Sequence, residues 1–223
     1  MQSSSSQRSI PILDRPLRNN KTEVSHSAFA FLFSEMVQYA YNRISSIDDL
    51  SLRLEELGFG VGQRLIELIG CRDRVIKRET RIVGILQYIT TTMWKQVFNK
   101  NADTLERAME DEDEYMIHES NPITNTFVSV PSDLGQLDCA AYIAGIIRGM
   151  LDSAKFVSIL LYMNYIKVIR SPFDFLLIVF SSTQSQSAKV TAHIVEQGNG
   201  LPVKTVFLIK FSQEVMARES RFK

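Results

Sequence analysis

The chain has 223 residues, 45% apolar and 22% charged, with 25 basic residues against 25 acidic ones. That length supports one substantial core, and the composition excludes a mostly disordered chain, collagen and coiled-coil rods. Zero formal charge argues against a dedicated nucleic-acid binder, whose phosphate contacts would show as an excess of lysine and arginine.

Residues 1–21 are serine-rich and polar and read as a disordered tail; they lack the apolar run of a secretory signal. Three arginines with one acid, Asp14, give the tail only a faint likeness to an organellar transit peptide. From 25 to 44 the spacing predicts a helix with Phe29, Leu32, Phe33, Met36, Val37 and Ala40 on one face. Phe31, Tyr39 and Tyr41 lie off that face. A helix apolar on more than one side is expected to be covered on more than one side, by core or by a partner.

A second helix is expected after Ser46, whose hydroxyl suits an N-cap, with Asp48 and Asp49 in the favoured first turn. Gly58, Gly60 and Gly62 are read as breaking it, either at a turn or at a close helix–helix approach. Their spacing does not fit a phosphate loop. The clearest helix spans 78–98, with a stripe of Ile82, Ile85, Leu86, Ile89, Met93 and Val97 and with Trp94 alongside. A polar stretch from 101 ends in five consecutive acids at 110–114, which read as a solvated face.

Two short strands are expected at 115–119 and 126–130. A helix at 139–151 is crowded with Ala140, Ala141, Ala144, Gly145 and Gly149, a composition that permits close packing. Residues 189–197 and 203–211 alternate as strands around a turn-rich link, and a last helix covers 213–221. The order predicts an α+β domain, helices packed on a small antiparallel sheet.

Residues 157–186 break the pattern. They are apolar, yet Lys167, Arg170, Pro172 and Asp174 interrupt them, so no uninterrupted run reaches the ~20 residues of a membrane span. Excising them keeps the frame, and the segment reads as a retained intron, its ends compatible with splice signals.

Candidate chemistry is sparse. His26, His118 and His193 stand far apart in no metal-binding motif, and the two cysteines, Cys71 and Cys139, make no CxxC. A Cys139–His193 pair is disfavoured because Asp138 opposes a thiolate, so Cys139 reads as a buried apolar group. No P-loop, GxSxG or kinase set occurs. The residues point to a non-enzyme that needs no cofactor or metal, in a reducing compartment.

Several blocks together resemble a known family. Thr22 to Ser25, 28–39, 58–69, Arg78-Glu79-Thr80-Arg81, 94–98, 113–117, 125–131, 189–193 and 208–211 are similar to the Bet-type small subunits of the TRAPP vesicle-tethering complex. The likeness covers about 13–221 apart from 157–186. It implies an α/β plait with helices against a four-stranded antiparallel sheet, forming a single domain over 22–223 interrupted at 157–186. It implies a non-catalytic scaffold lying between TRAPP subunit 3 and subunit 2, peripheral to endoplasmic reticulum and cis-Golgi membranes. The assembled complex would tether vesicles and promote nucleotide exchange on a Rab GTPase. Paired subunits of this family meet through their helices, which assigns Phe31, Met36, Tyr39 and Tyr41 to a partner interface. Subunit 3 of the family carries an acylated cysteine, but the matching position here is Arg74, so the resemblance does not extend acylation to this chain. The rival reading is an apolar small-molecule module, with Ile82, Ile85, Leu86, Ile89 and Met93 lining its pocket.

Overall fold

The computed structural model describes residues 23–44, 46–73, 79–109, 111, 113–126, 128, 137–156, 188–195 and 204–221. Helix α1 (His26–Tyr41) starts where the Ser25 hydroxyl accepts the N–H of Ala28 at 3.2 Å. Helix α2 (Ile47–Asp73) starts at Ser46, whose hydroxyl accepts the N–H of Asp49 at 3.1 Å. Asp48 and Asp49 sit against the positive end of that helix, as expected.

The expected break at Gly58, Gly60 and Gly62 does not occur: α2 runs unbroken through all three. The reason is α6 (Ala141–Phe156), which lies against α2 backbone to backbone. A Cβ on Gly58 would overlap the carbonyl oxygen of Tyr142, and one on Gly62 that of Ile146. In return, a Cβ on Gly145 would overlap the carbonyl of Glu55, and one on Gly149 that of Phe59. Each helix therefore contributes two glycines to the other's backbone, and the contact offsets the ~1 kcal/mol that each glycine costs a helix. Arg148 ties the same pair together. Its guanidinium donates to Glu55 Oε1 at 2.7 Å and lies 4.6 Å from the centre of the Phe59 ring. Burial pushes the Glu55 carboxyl up from its ordinary range, and the Arg148 charge pulls it partly back.

The third helical rod has three parts: α3 (Ile82–Tyr88), a π-helical turn (Ile89–Met93) and α4 (Trp94–Phe98). A π turn adds a residue and rotates the helix beyond it. Ile82, Leu86, Ile89 and Met93 are buried as the stripe predicts. Past the turn the inward series moves to Trp94 and Phe98, and Val97 is left half-buried. The Thr90 hydroxyl donates to Leu86 O at 3.0 Å and that of Thr91 to Gln87 O at 2.6 Å. The Thr90 carbonyl accepts the N–H of Ala102 at 3.0 Å, which fastens the chain leaving α4. Asn99, in the left-handed region at φ 58°, closes that helix by donating its N–H to Lys95 O.

The strands are β1 (Thr104–Arg107), β2 (Glu114–Glu119), β3 (Ala188–Val195) and β4 (Lys204–Phe211). They form a four-stranded antiparallel sheet in the order β1-β2-β4-β3. Among the described residues the sheet has four strands, and one of them, β1, comes from a stretch not expected to form a strand. The expected strand at 126–130 falls mostly outside the described residues; its first residue, Thr126, ends a short helix, α5 (Ile123–Thr126), and the described partner of β2 is β1 from the polar stretch before it. β1 is short and mostly exposed, so it shows no apolar alternation. β3 and β4 pair throughout, from Ala188↔Phe211 to Val195↔Lys204, as a hairpin requires; their link lies outside the described residues.

The inward face of the sheet carries Tyr115, Ile117, Val190, Phe207, Ile209 and Phe211, which pack with α6 and the rod 82–98 into the main core. A last helix, α7 (Gln213–Ser220), adds Val215 to that core. Its Glu219 accepts the N–H of Ile82 at 3.1 Å, an acid at the start of α3. A second, smaller core joins α1 to the first half of α2 through Phe33, Ala40, Leu50, Leu54, Leu137 and Cys139.

The glycine contact yields a paired test. Gly62→Ala should lower the unfolding free energy by ~2–3 kcal/mol, because its methyl meets backbone that can move only by parting the helices. Gly70→Ala, where a Cβ meets nothing within 4 Å, should raise it by ~0.5–1 kcal/mol. Urea denaturation of both variants checks the pair.

Candidate interaction surface

Helix α1 packs through one side only. Phe33 and Ala40 are buried, with Phe29, Met36 and Val37 half-buried around the second core. Phe29 stacks on Phe33 with centroids 5.7 Å apart, and Phe33 meets the Tyr142 ring of α6 at 5.4 Å. The opposite side is open: Phe31 is 78% exposed, Leu32 71%, Tyr39 56% and Tyr41 47%. At 100° per residue, Phe31, Leu32 and Tyr39 fall within one arc of the helix, with Tyr41 on its far flank.

One position differs from the reading of the sequence. Leu32, expected on the core face, faces outward. Met36, expected both on that face and in the interface, packs half-buried against the second core. At 100° per residue Leu32 lies at the outer edge of the stripe, about 40° beyond Met36 on the same side, so the way α1 rolls onto α2 covers Met36 and leaves Leu32 out. Arg43 restrains the end of the surface. Its guanidinium carbon sits 3.6 Å from the centre of the Tyr39 ring, and Nη1 donates to the Tyr39 carbonyl at 3.4 Å. Such a cation–π contact holds the ring flat against its own helix and leaves its outer face free.

The histidines do not converge. His26 opens α1, His118 lies 3.5 Å from Glu106 on the sheet, and His193 meets the Thr191 hydroxyl at 2.8 Å on the edge strand β3. Among the described residues no group of three or more His, Cys, Asp or Glu is placed to hold a metal ion. Also among them, no helix is long and apolar enough to cross a membrane. Of the rival reading's stripe, Ile82, Leu86, Ile89 and Met93 are core, and Ile82 and Ile85 also line a small cleft of about 30 Å³. Residues 157–186 and Arg74 lie outside the described residues.

One polar cluster escaped the sequence reading. Glu119 shares the inward side of β2 with Tyr115 and Ile117 and is 1% exposed. It accepts from the Trp94 indole at 3.1 Å and from the Lys100 ammonium. An acid at an inward position of an alternating strand is the signal that would have found it.

Comparison with known proteins places this architecture. Residues 29–164 match the family described as transport protein particle (TRAPP) component. Trafficking protein particle complex subunit 5 of Dictyostelium discoideum is 42% identical over 212 residues, covering 95% of this chain and 97% of that protein. The human protein of the same name is 35% identical over 208 residues, covering 93% of this chain and 91% of its own length. Among solved structures, a trafficking protein particle complex subunit 3 from Naegleria fowleri, covalently bound to palmitic acid, superposes with a TM-score of 0.59 at 16% identity. That match covers 84% of this chain and 95% of the other, and it carries the fold alone.

The two cysteines should behave oppositely. Cys71 is exposed on α2, whereas Cys139 is buried and its thiol is pushed up to about 11, first by desolvation and then by the charge of Asp138. At pH 8 a maleimide should add once to the folded chain and twice in denaturant, read by mass. The same shift has a pH consequence. Between the ordinary thiol value of 9.0 and about 11 the folded state holds the proton that the unfolded state releases, so stability should fall as pH rises through that window.

Proposed function

Because this chain belongs to the TRAPP component family, we propose that it acts as a non-catalytic scaffold within the TRAPP vesicle-trafficking complex, in the place its subunit 5 relatives occupy. Its partners are then other TRAPP subunits, and we assign its two neighbours as subunit 3 and subunit 2. The assembled complex, rather than this chain alone, would tether vesicles between endoplasmic reticulum and Golgi and act on a Rab GTPase. Attachment to those membranes would be peripheral and through the complex. The observation that carries the scaffold reading is the double-sided α1: one face fills the second core while Phe31, Leu32, Tyr39 and Tyr41 stand in solvent. An exposed aromatic arc on a packed helix has the composition of an interface centre.

The domain is proposed to run over 22–223, preceded by a disordered tail at 1–21 and interrupted at 157–186 by a segment from a retained intron. Acylation of the kind seen in the Naegleria subunit 3 is not extended to this chain. The exposed thiol on α2 is Cys71, three residues before Arg74, the position that matches the family's acylated cysteine.

Co-expression with TRAPP subunit 3 of the same organism, with the mass of the purified complex as readout, tests this reading. A one-to-one complex is expected, and it should survive deletion of 157–186. Phe31→Glu with Tyr39→Glu should weaken it at least about a hundredfold while leaving the melting temperature of the isolated chain unchanged. If neither the intact nor the shortened chain binds a soluble subunit 3, the assignment of that neighbour fails.

A further inference from the structure

A cavity of about 260 Å³ opens where the end of α4, the end of β2 and α5 meet. His26, the first residue of α1, also lines it. Trp94, Phe98, Pro122 and Ile123 form apolar walls, and Lys100 and Asn121 stand among its polar groups.

The charge at this cavity is fixed by the carboxylate behind it. Glu119 spends its two oxygens inward: one accepts the Trp94 indole N–H at 3.1 Å, and the other accepts Lys100 Nζ and, at 3.4 Å, the backbone N–H of Asn121. Lys100 Nζ also donates to the Asn121 carbonyl at 3.2 Å. Two of the three ammonium protons are thereby used, and the third has no acceptor among the described residues. The Lys100 side chain remains 46% exposed while its partner carboxylate is sealed off. A visitor to the cavity meets a held ammonium donor beside aromatic walls, with the nearby acid already saturated. Such a site selects a hydrogen-bond acceptor carrying negative charge on a small apolar body.

We propose that this cavity binds a small organic monocarboxylate, its carboxylate on Lys100 and its apolar body against Trp94 and Phe98. The volume is below the usual range for drug-sized ligands, which limits the ligand to about ten non-hydrogen atoms. Benzoate is a probe of that size, and benzamide is its uncharged counterpart.

Trp94 is the chain's only tryptophan, so its emission reports occupancy of this cavity directly. Titrating the full chain with benzoate should give a saturable change in emission, and benzamide should bind at least about tenfold more weakly. Lys100→Gln should bring benzoate down to the level of benzamide. Glu119→Gln keeps an acceptor for the indole but releases Lys100 from its counter-charge, so it should tighten benzoate binding. Those opposite signs separate ligand recognition from a purely structural ion pair, whose loss would disturb both variants alike. The proposal is overturned by a non-saturable response, by benzamide matching benzoate, or by both variants weakening benzoate together.

Discussion

The approach of α2 and α6 sets the geometry on which the remaining elements depend. Four glycines, two from each helix, face the carbonyl oxygens of the opposing backbone, so the axes come closer than any side chain would allow. That spacing reaches well beyond the two helices. Buried α6 residues such as Ile143 and Ile147 turn into the main core over the sheet, while Tyr142 reaches Phe33 and joins α1 to the same framework. The Arg148–Glu55 pair could not span a wider gap at 2.7 Å. Between the helices there is close van der Waals contact, and the polar pair at the edge of that contact fixes their register.

A second constraint organises the other end of the molecule. The π turn at Ile89–Met93 costs some regularity, but it turns Trp94 inward and frees the Thr90 carbonyl for Ala102. From there Asn99 reverses the chain in a left-handed conformation, which brings Lys100 to Glu119. Asp103 then accepts both the N–H and the hydroxyl of Ser120, at 2.7 and 2.6 Å, and pins β1 to the end of β2. Those hydrogen bonds and the low water access beside Trp94 let an acid sit inside an otherwise apolar face. The cavity against these residues is lined by the end of the rod, the end of β2, α5 and His26 of α1.

Much of this was legible in the residues, and the failures have physical reasons. Caps, the 82–93 stripe, the small-residue helix and the β3–β4 alternation all express local preference and burial together, so pattern reading found them. Gly58, Gly60 and Gly62 mislead as a break because intrinsic propensity favours one, whereas the close helix–helix approach also read there is what Gly58 and Gly62 provide. Strand β1 is an edge of four mostly polar residues stabilised by pairing with β2, and no periodicity marks such a strand. The outward residues Phe31, Tyr39 and Tyr41 of α1 were recognisable as off-face, but Leu32, at the outer edge of the stripe, is left out of the core. Composition cannot tell how far a helix rolls onto its neighbour. Glu119 was readable in principle from its place in an alternating strand, though its partners Trp94 and Lys100 come from a rod whose phase the π turn had shifted.

The position of α1 completes the physical picture. Its inner face rests on a small core of a few side chains, separate from the core that secures the sheet. Each large outer residue is left to water, and covering one fully would stabilise the chain by roughly 1.5–3 kcal/mol. An apolar arc of this kind has no counterpart elsewhere on the described helices, whose exposed faces are mixed or polar. The chain therefore keeps two separate arrangements: an α2–α6–sheet body fixed by backbone contact, and a helix that is held by a small core and whose outer side stands in solvent. Assembly through α1 would stabilise the element with the least core of its own, which couples the stability of the subunit to the complex it enters.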